Sequence, residues 1–171
     1  MANLTYDEAA HLLRRVGFGG PPEEIDSLSA KGREGAVDYL IAYNQIDNQP
    51  MEDLLQRGFD FSDPYNTFKF TRPDIQRWWF TRMVYTNRAF EEKMTLFWHN
   101  HFATSVSKAG EIFSYLQNKL LRSNALARFD TLMLAVAQDP AARIPVPGPE
   151  AAGLVSGVPA GVGQGADRAQ A

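Results

Sequence analysis

The chain contains no cysteine, which excludes disulfide bonds and every thiolate-based metal site. It has no apolar run near the ~20 residues that a membrane helix needs; the longest, Leu132 to Ala137, is six residues. The start, Met-Ala-Asn-Leu-Thr-Tyr-Asp, lacks the basic region and apolar stretch of a secretory leader. Neither sign of charge dominates: 17 Lys and Arg against 20 Asp and Glu leave a net charge of −3. The clustered basic surface that nucleic acid usually requires is therefore missing, and no nucleic-acid partner is expected. As encoded, these absences predict a soluble, cytoplasmic chain without a membrane span.

Aromatic residues are missing from one end. All 3 Trp, 6 Tyr and 11 Phe precede Pro140, the last being Phe129. The 32 positions after Asp139 hold 5 Pro, 6 Gly and 8 Ala. Such a composition has too little apolar bulk to offset its ordering entropy, so residues 140–171 are expected to be a disordered tail. Residues 1–139 have the length and hydrophobic content of one globular domain.

Within that domain no segment alternates with period two, and helical spacing recurs throughout. Thr5 and Glu8 form the ends of a Thr-x-x-Glu capping box. Ala9, Leu12, Leu13 and Val16 follow at helical spacing, with Gly17 expected as a left-handed stop. Pro21 and Pro22 suit the first turn of a second helix, which Gly32 ends. Ala36, Val37, Leu40 and Ile41 make a third. A short helix is expected over Met51–Arg57, then an ordered loop over Gly58–Phe70. Pro73 opens a helix through about Thr86, with Ile75, Trp78, Trp79 and Met83 as its apolar stripe. Another begins near Ala89; Phe113, Leu116 and Leu120 mark the next. Phe129, Leu132, Met133 and Val136 mark the last, which Pro140 stops. The fold class is all-α: a single irregular multi-helix domain followed by the tail.

Two of the three histidines fall in the block Phe97-Trp98-His99-Asn100-His101-Phe102. On a continued helix, Phe90, Met94, Phe97, Trp98 and His101 share one face. His99 then points about 160° away from His101, at ~100° per residue. Two imidazoles so placed cannot share a metal, so a joint site requires the helix to unwind near Asn100. A divalent metal such as zinc needs a third protein ligand; the candidates are Glu92, one heptad before His99, and the distant His11. Acid–base use of His99, Asn100 and His101 is the catalytic alternative. The competing reading is a packed aromatic cluster whose ring nitrogens bond backbone or carboxylate groups. Both stay open at this point.

Two further patterns have similar alternatives. Arg14 and Arg15 lie close to Gly19 and Gly20, which precede a helix N-terminus and so suggest an anion site. The same arginines also complement the negative end of the first helix. Arg72, Arg77, Arg82, Arg88 and Lys93 interleave with Trp78, Trp79, Phe80, Tyr85 and Phe90, a pattern seen on single-strand nucleic-acid platforms. Here the rings sit at core spacing and Asp74, Glu91 and Glu92 offset the cations. A solvated basic face on a core helix is the expectation.

The stretch His11-Leu12-Leu13-Arg14-Arg15-Val16-Gly17-Phe18-Gly19 and the stretch Glu92-Lys93-Met94-Thr95-Leu96-Phe97-Trp98-His99-Asn100-His101-Phe102-Ala103-Thr104-Ser105 together resemble motifs of the bacterial family of domain of unknown function 1800. Gln117-Asn118-Lys119-Leu120-Leu121-Arg122 and Ala135-Val136-Ala137-Gln138-Asp139-Pro140 match its pattern in the same order. The resemblance covers roughly residues 4–139. It implies a predominantly helical protein with no established activity, from a family many of whose members look exported. It also implies a hydrophobic segment and a further helical region after the Asp-Pro pair, against which this domain would pack. The Pro/Gly/Ala tail stands in their place. Misread GC-rich codons give such a composition, so residues 141–171 are expected to be out-of-frame translation or the mark of a truncated gene; sequencing the locus checks this. The functional expectation is a binding or structural role, the alternative being part of a metal-dependent or acid–base hydrolase-like enzyme built on the Trp-His-Asn-His block.

Overall fold

The computed structural model describes residues 3–59, 71–102, 104 and 106–141, with only the backbone described at 106–108. Among the described residues there are eight α-helices, one short 3-10 turn and no strand. Helices α1 (Tyr6–Val16), α2 (Pro22–Ala30) and α3 (Gly32–Ile41) form an N-terminal layer. Helices α4 (Gln49–Gly58), α5 (Arg72–Tyr85), α6 (Ala89–His101), α7 (Val106–Ser123, kinked at Gly110, where φ is 81°) and α8 (Phe129–Gln138) make up the rest. The all-α expectation holds, and no described helix is long and apolar enough to cross a membrane. Residues 60–70, most of the expected loop, and 142–171, most of the expected tail, lie outside the described residues.

Local chemistry explains the helix starts. The Thr5 backbone N–H donates to Glu8 Oε2 at 2.9 Å, and the Glu8 N–H donates to Thr5 Oγ1 at 3.3 Å. Each satisfies a donor that the first turn otherwise leaves orphaned. A similar device, absent from the reading of the sequence, starts α5: the Asp74 carboxylate accepts the Thr71 backbone N–H at 3.1 Å. Pro22 and Pro73 both occupy the first turn, where a missing donor costs nothing.

Among the described residues three apolar clusters hold the layers. Ala9, Ala10, Leu13, Ile25, Leu28, Ala36 and Leu40 close the N-terminal layer with Leu4. Met51, Leu55, Trp78 and Tyr115 join α4, α5 and α7. Leu121, Leu132 and Val136 join α7 to α8, with Trp98 and Phe102 packed against them. On α8 the expected four-residue stripe is only half right. Leu132 and Val136 are buried, but Phe129 and Met133 are exposed along with Leu134. Pro140 and Ala141 also depart from the expected tail boundary: Ala141 is buried, and its N–H donates to Asp139 Oδ1 at 3.3 Å.

Gly17 corrects the expected left-handed stop. Its φ of −144° lies outside that region, and the left-handed turn falls at Gly19, with φ 94°. The reason for glycine at 17 is space. A Cβ there would lie 2.9 Å from the Cβ of Ala89, at the first turn of α6. This close approach seats the N-terminal layer on the rest of the fold. Gly17→Ala should destabilise the protein by about 1–3 kcal/mol through overpacking, read as a lower urea midpoint. Adding Ala89→Gly should restore part of the loss; no recovery in the double variant would show that the contact is not the cause.

Candidate functional site

The deepest polar feature lies where α5, α6 and α7 meet. Glu92, on α6, has 0% exposure. A buried carboxylate is costly unless it is paired and hydrogen-bonded, and this one is saturated. Arg122 Nε donates to its Oε1 at 2.6 Å and Arg122 Nη2 to its Oε2 at 3.0 Å. Arg82 Nε reaches Oε1 at 3.1 Å, and the Trp79 indole N–H donates to Oε2 at 3.3 Å. The remaining Arg82 nitrogens form a two-point pair with Glu52 of α4, at 2.6 and 3.1 Å. Both guanidinium groups also lie over the Trp78 ring, with centroid distances of 5.4 and 5.1 Å.

Helical spacing assembles this cluster. Trp78 and Arg82 are four apart on α5, as are Asn118 and Arg122 on α7, so each pair shares a face. Asn118 uses that spacing to accept from Arg122 Nη2 at 2.7 Å. Burial alone would raise the Glu92 carboxyl, but the hydrogen bonds and charges of Arg122 and Arg82 outweigh it and hold the group below its ordinary 4.5. Its neighbour Glu91 is pushed upward, by burial and by the charge of Glu92.

The candidate residues proposed from sequence take separate places. Helix α6 runs unbroken through Asn100 to His101, and the Phe102 N–H continues its ladder to Trp98 O at 2.8 Å. The local unwinding that a joint His99–His101 site requires is therefore not found. His99 is half-buried, its ring edge-on to Trp79 at 4.8 Å, and burial lowers its pKa. His101 and Asn100 are exposed; His101 packs beside Phe102 at 4.9 Å and near Trp98 at 6.0 Å. The expected apolar face of α6 is also corrected. Glu92 and Thr95 are its fully buried residues, whereas Phe97 is 53% exposed. Hydrophobic patterning alone selects the wrong face of this helix, because it counts a buried carboxylate as surface.

Glu92, offered as a metal ligand, is instead occupied by two arginines. His11 is exposed on α1 and borders a groove with Asp7 and Arg33, apart from the surroundings of His99. Among the described residues no group of three or more His, Asp or Glu side chains is placed to hold a metal ion. The anion site does not assemble either. Arg14 and Arg15 are exposed, Pro21 and Pro22 supply no N–H, and the Glu24 carboxylate crowds Gly20, where an anion would have to approach. Burial pushes the Glu24 carboxyl up. Arg82 is the other correction: it is 7% exposed and belongs to the core rather than to a solvated basic face. Its position seven residues after Ile75 and four after Trp78, on the apolar stripe, was the available signal.

Among the described residues, two cavities border the ion cluster. A broad cleft of about 690 Å³ is lined by charged groups, including Glu52, Arg82, Arg88, Lys119 and Arg122. A smaller slot of about 310 Å³ is bounded mainly by Trp79, Phe80, Met83 and Leu96, with His99 and Asn118.

The described residues make an all-α domain in which the Phe97–Phe102 block closes the C-terminal end of α6. The family described as protein of unknown function DUF1800 matches residues 11–142, and the chain belongs to it. No curated protein and no solved structure matches the chain.

Glu92→Gln should cost about 3–5 kcal/mol at neutral pH, because the buried Arg122 loses its carboxylate partner and Arg82 keeps only Glu52. The sign with pH follows from the lowered carboxyl. Its contribution is present above the unfolded-state value and disappears as pH falls through the folded one. The stability gap between parent and variant should therefore narrow as pH drops below 4.5. A gap that stays constant in urea titrations down that range would contradict the assignment.

Proposed function

We propose that this domain is a binding module, with the α5–α6–α7 junction as its recognition site and the Arg82–Glu92–Arg122 cluster as the frame that holds it. The observation that carries this reading is the saturation of Glu92 by two arginines and an indole N–H. A carboxylate committed in this way has no lone pair geometry left for a metal or for proton transfer. Two further features support the reading. His99 lies against Trp79 rather than beside a carboxylate that would orient it as a general base. Cavities bordered by aromatic and cationic side chains open directly onto the frame, which is the usual setting of a ligand site.

Metal analysis of purified protein after exposure to zinc and dialysis tests the choice between binding module and metal enzyme. The expected outcome is no stoichiometric zinc, with His99→Ala and His101→Ala leaving the metal content unchanged. One zinc per chain, lost in both variants, would replace this reading with the enzyme alternative.

A further inference from the structure

Arg122 is 8% exposed, and its guanidinium is only partly used. Nε and Nη2 hold Glu92, and Nη2 also donates to Asn118 Oδ1. Nη1, with two N–H groups to donate, meets no acceptor among the described residues. It is not sealed either. Among the described residues, the one buried side-chain donor that lacks both a partner and solvent is Asn118 Nδ2. Arg122 lines the 690 Å³ cleft, and that is where the otherwise enclosed Nη1 opens. A charged donor turned from a buried side chain into a cavity is half of a charge-assisted hydrogen bond.

Two further cations line the same cleft with donors to spare. Lys119 stands one turn before Arg122 on α7, exposed, with Nζ 5.6 Å from the centre of the Tyr115 ring. Arg88, half-buried before α6, spends Nε on Ile46 O at 2.8 Å and leaves its Nη groups unbonded among the described residues. The carboxylates on the wall are Glu52, already paired with Arg82, and Glu91. Burial and the charge of Glu92 push the Glu91 carboxyl up while Arg88 and Arg122 pull it down, so these groups face one region. With Glu92 behind the wall, Arg82, Arg88, Lys119 and Arg122 meet three carboxylates, Glu52, Glu91 and Glu92. One positive charge is left over. Leu55, Phe59, Trp78 and Tyr115 supply the apolar part of the lining.

We infer that this cleft binds a monoanionic organic acid, its carboxylate on Arg122 Nη1 beside Lys119 and its apolar body against the aromatic part of the wall. This assignment rests on the binding-module reading and names its ligand class. The burial of Arg122 is already compensated by Glu92, so a second carboxylate needs only to accept the open N–H. The single surplus charge selects a monoanion over a dianion. The apolar lining selects an organic body over an inorganic ion.

The test is a calorimetric titration of the full chain, at neutral pH and low salt, with 2-naphthoate and its uncharged counterpart 2-naphthamide. The naphthoate should bind about tenfold or more tightly, because a bond to an ionised acceptor is about twice as strong as a neutral one. Its affinity should fall as salt is raised, and that of the amide should not. Lys119→Gln should weaken the naphthoate about threefold or more and leave the amide unchanged. Lys119→Glu, which sets a competing carboxylate one turn from Arg122, should erase the preference. Lys31→Gln, the same charge change on an exposed lysine between α2 and α3, should alter neither affinity. In the parent, the ¹H–¹⁵N side-chain signals of Arg122 should move on saturation with the naphthoate. Equal affinity of the two probes, no binding of either, tighter binding of the dianion 2-naphthyl phosphate, or unmoved Arg122 signals would each overturn the inference. So would an effect of Lys31→Gln equal to that of Lys119→Gln. Those outcomes leave the binding-module reading intact as long as no stoichiometric zinc is found; one zinc per chain, lost in both histidine variants, would sink that reading instead.

Discussion

A carboxylate with no exposure at the centre of a 171-residue chain constrains everything packed around it. Glu92 cannot be solvated, so its charge must be met by groups that other helices deliver to within hydrogen-bond distance. Arg82 comes from α5 and Arg122 from α7, and Arg82 extends the network to Glu52 on α4. Three helices are thus tied directly to one acidic side chain, and α4 joins them through the Arg82–Glu52 pair. Buried ion pairs of this kind contribute little net stability compared with a well-packed apolar core, yet losing one partner is severe. In this fold their effect is positional. A turn of slippage along α6 would bury an uncompensated charge, whereas the aromatic residues around the cluster would tolerate a small shift.

The same cluster explains what was and was not legible in the sequence. Helix starts were readable because capping and proline rules act over three or four residues, as at Thr5, Pro22 and Pro73. The helical class followed from spacing alone. The orientation of α6 was misread because hydrophobic patterning treats Glu92 and Thr95 as surface and Phe97 as core. Burial of Glu92 depends on arginines 10 residues before it and 30 after it, and no local rule couples those positions. Arg82 did carry a local hint, since it continues the Ile75–Trp78 stripe. Asn118 carried none; only its placement against Arg122 and the slot distinguishes it from any polar residue on a helix.

The tryptophan-histidine block that dominates the sequence therefore divides into parts with different physical roles. Trp98 anchors α6 to the turn before α8, its indole N–H donating to Ala125 O at 2.8 Å. His101 decorates the helix end beside Phe102. His99 lies among apolar groups that favour its neutral form. The density of rings and imidazoles is thus mostly packing at the end of α6, while the buried charge pairing of Glu92 draws on α5 and α7.

The contact between Gly17 and Ala89 gives the molecule a seam. On one side lies a core closed by α1, α2 and α3; on the other are the cores that surround the ion cluster. Among the described residues apolar side chains form separate clusters on the two sides, and the backbone approach at Gly17 has no side chain of its own to contribute. Cooperativity should be weaker across such a junction than within either part. The N-terminal layer can then open and reclose as a unit while the Glu92 frame stays shut. Amide protons of α1 to α3 would consequently exchange together, and earlier than those around Glu92.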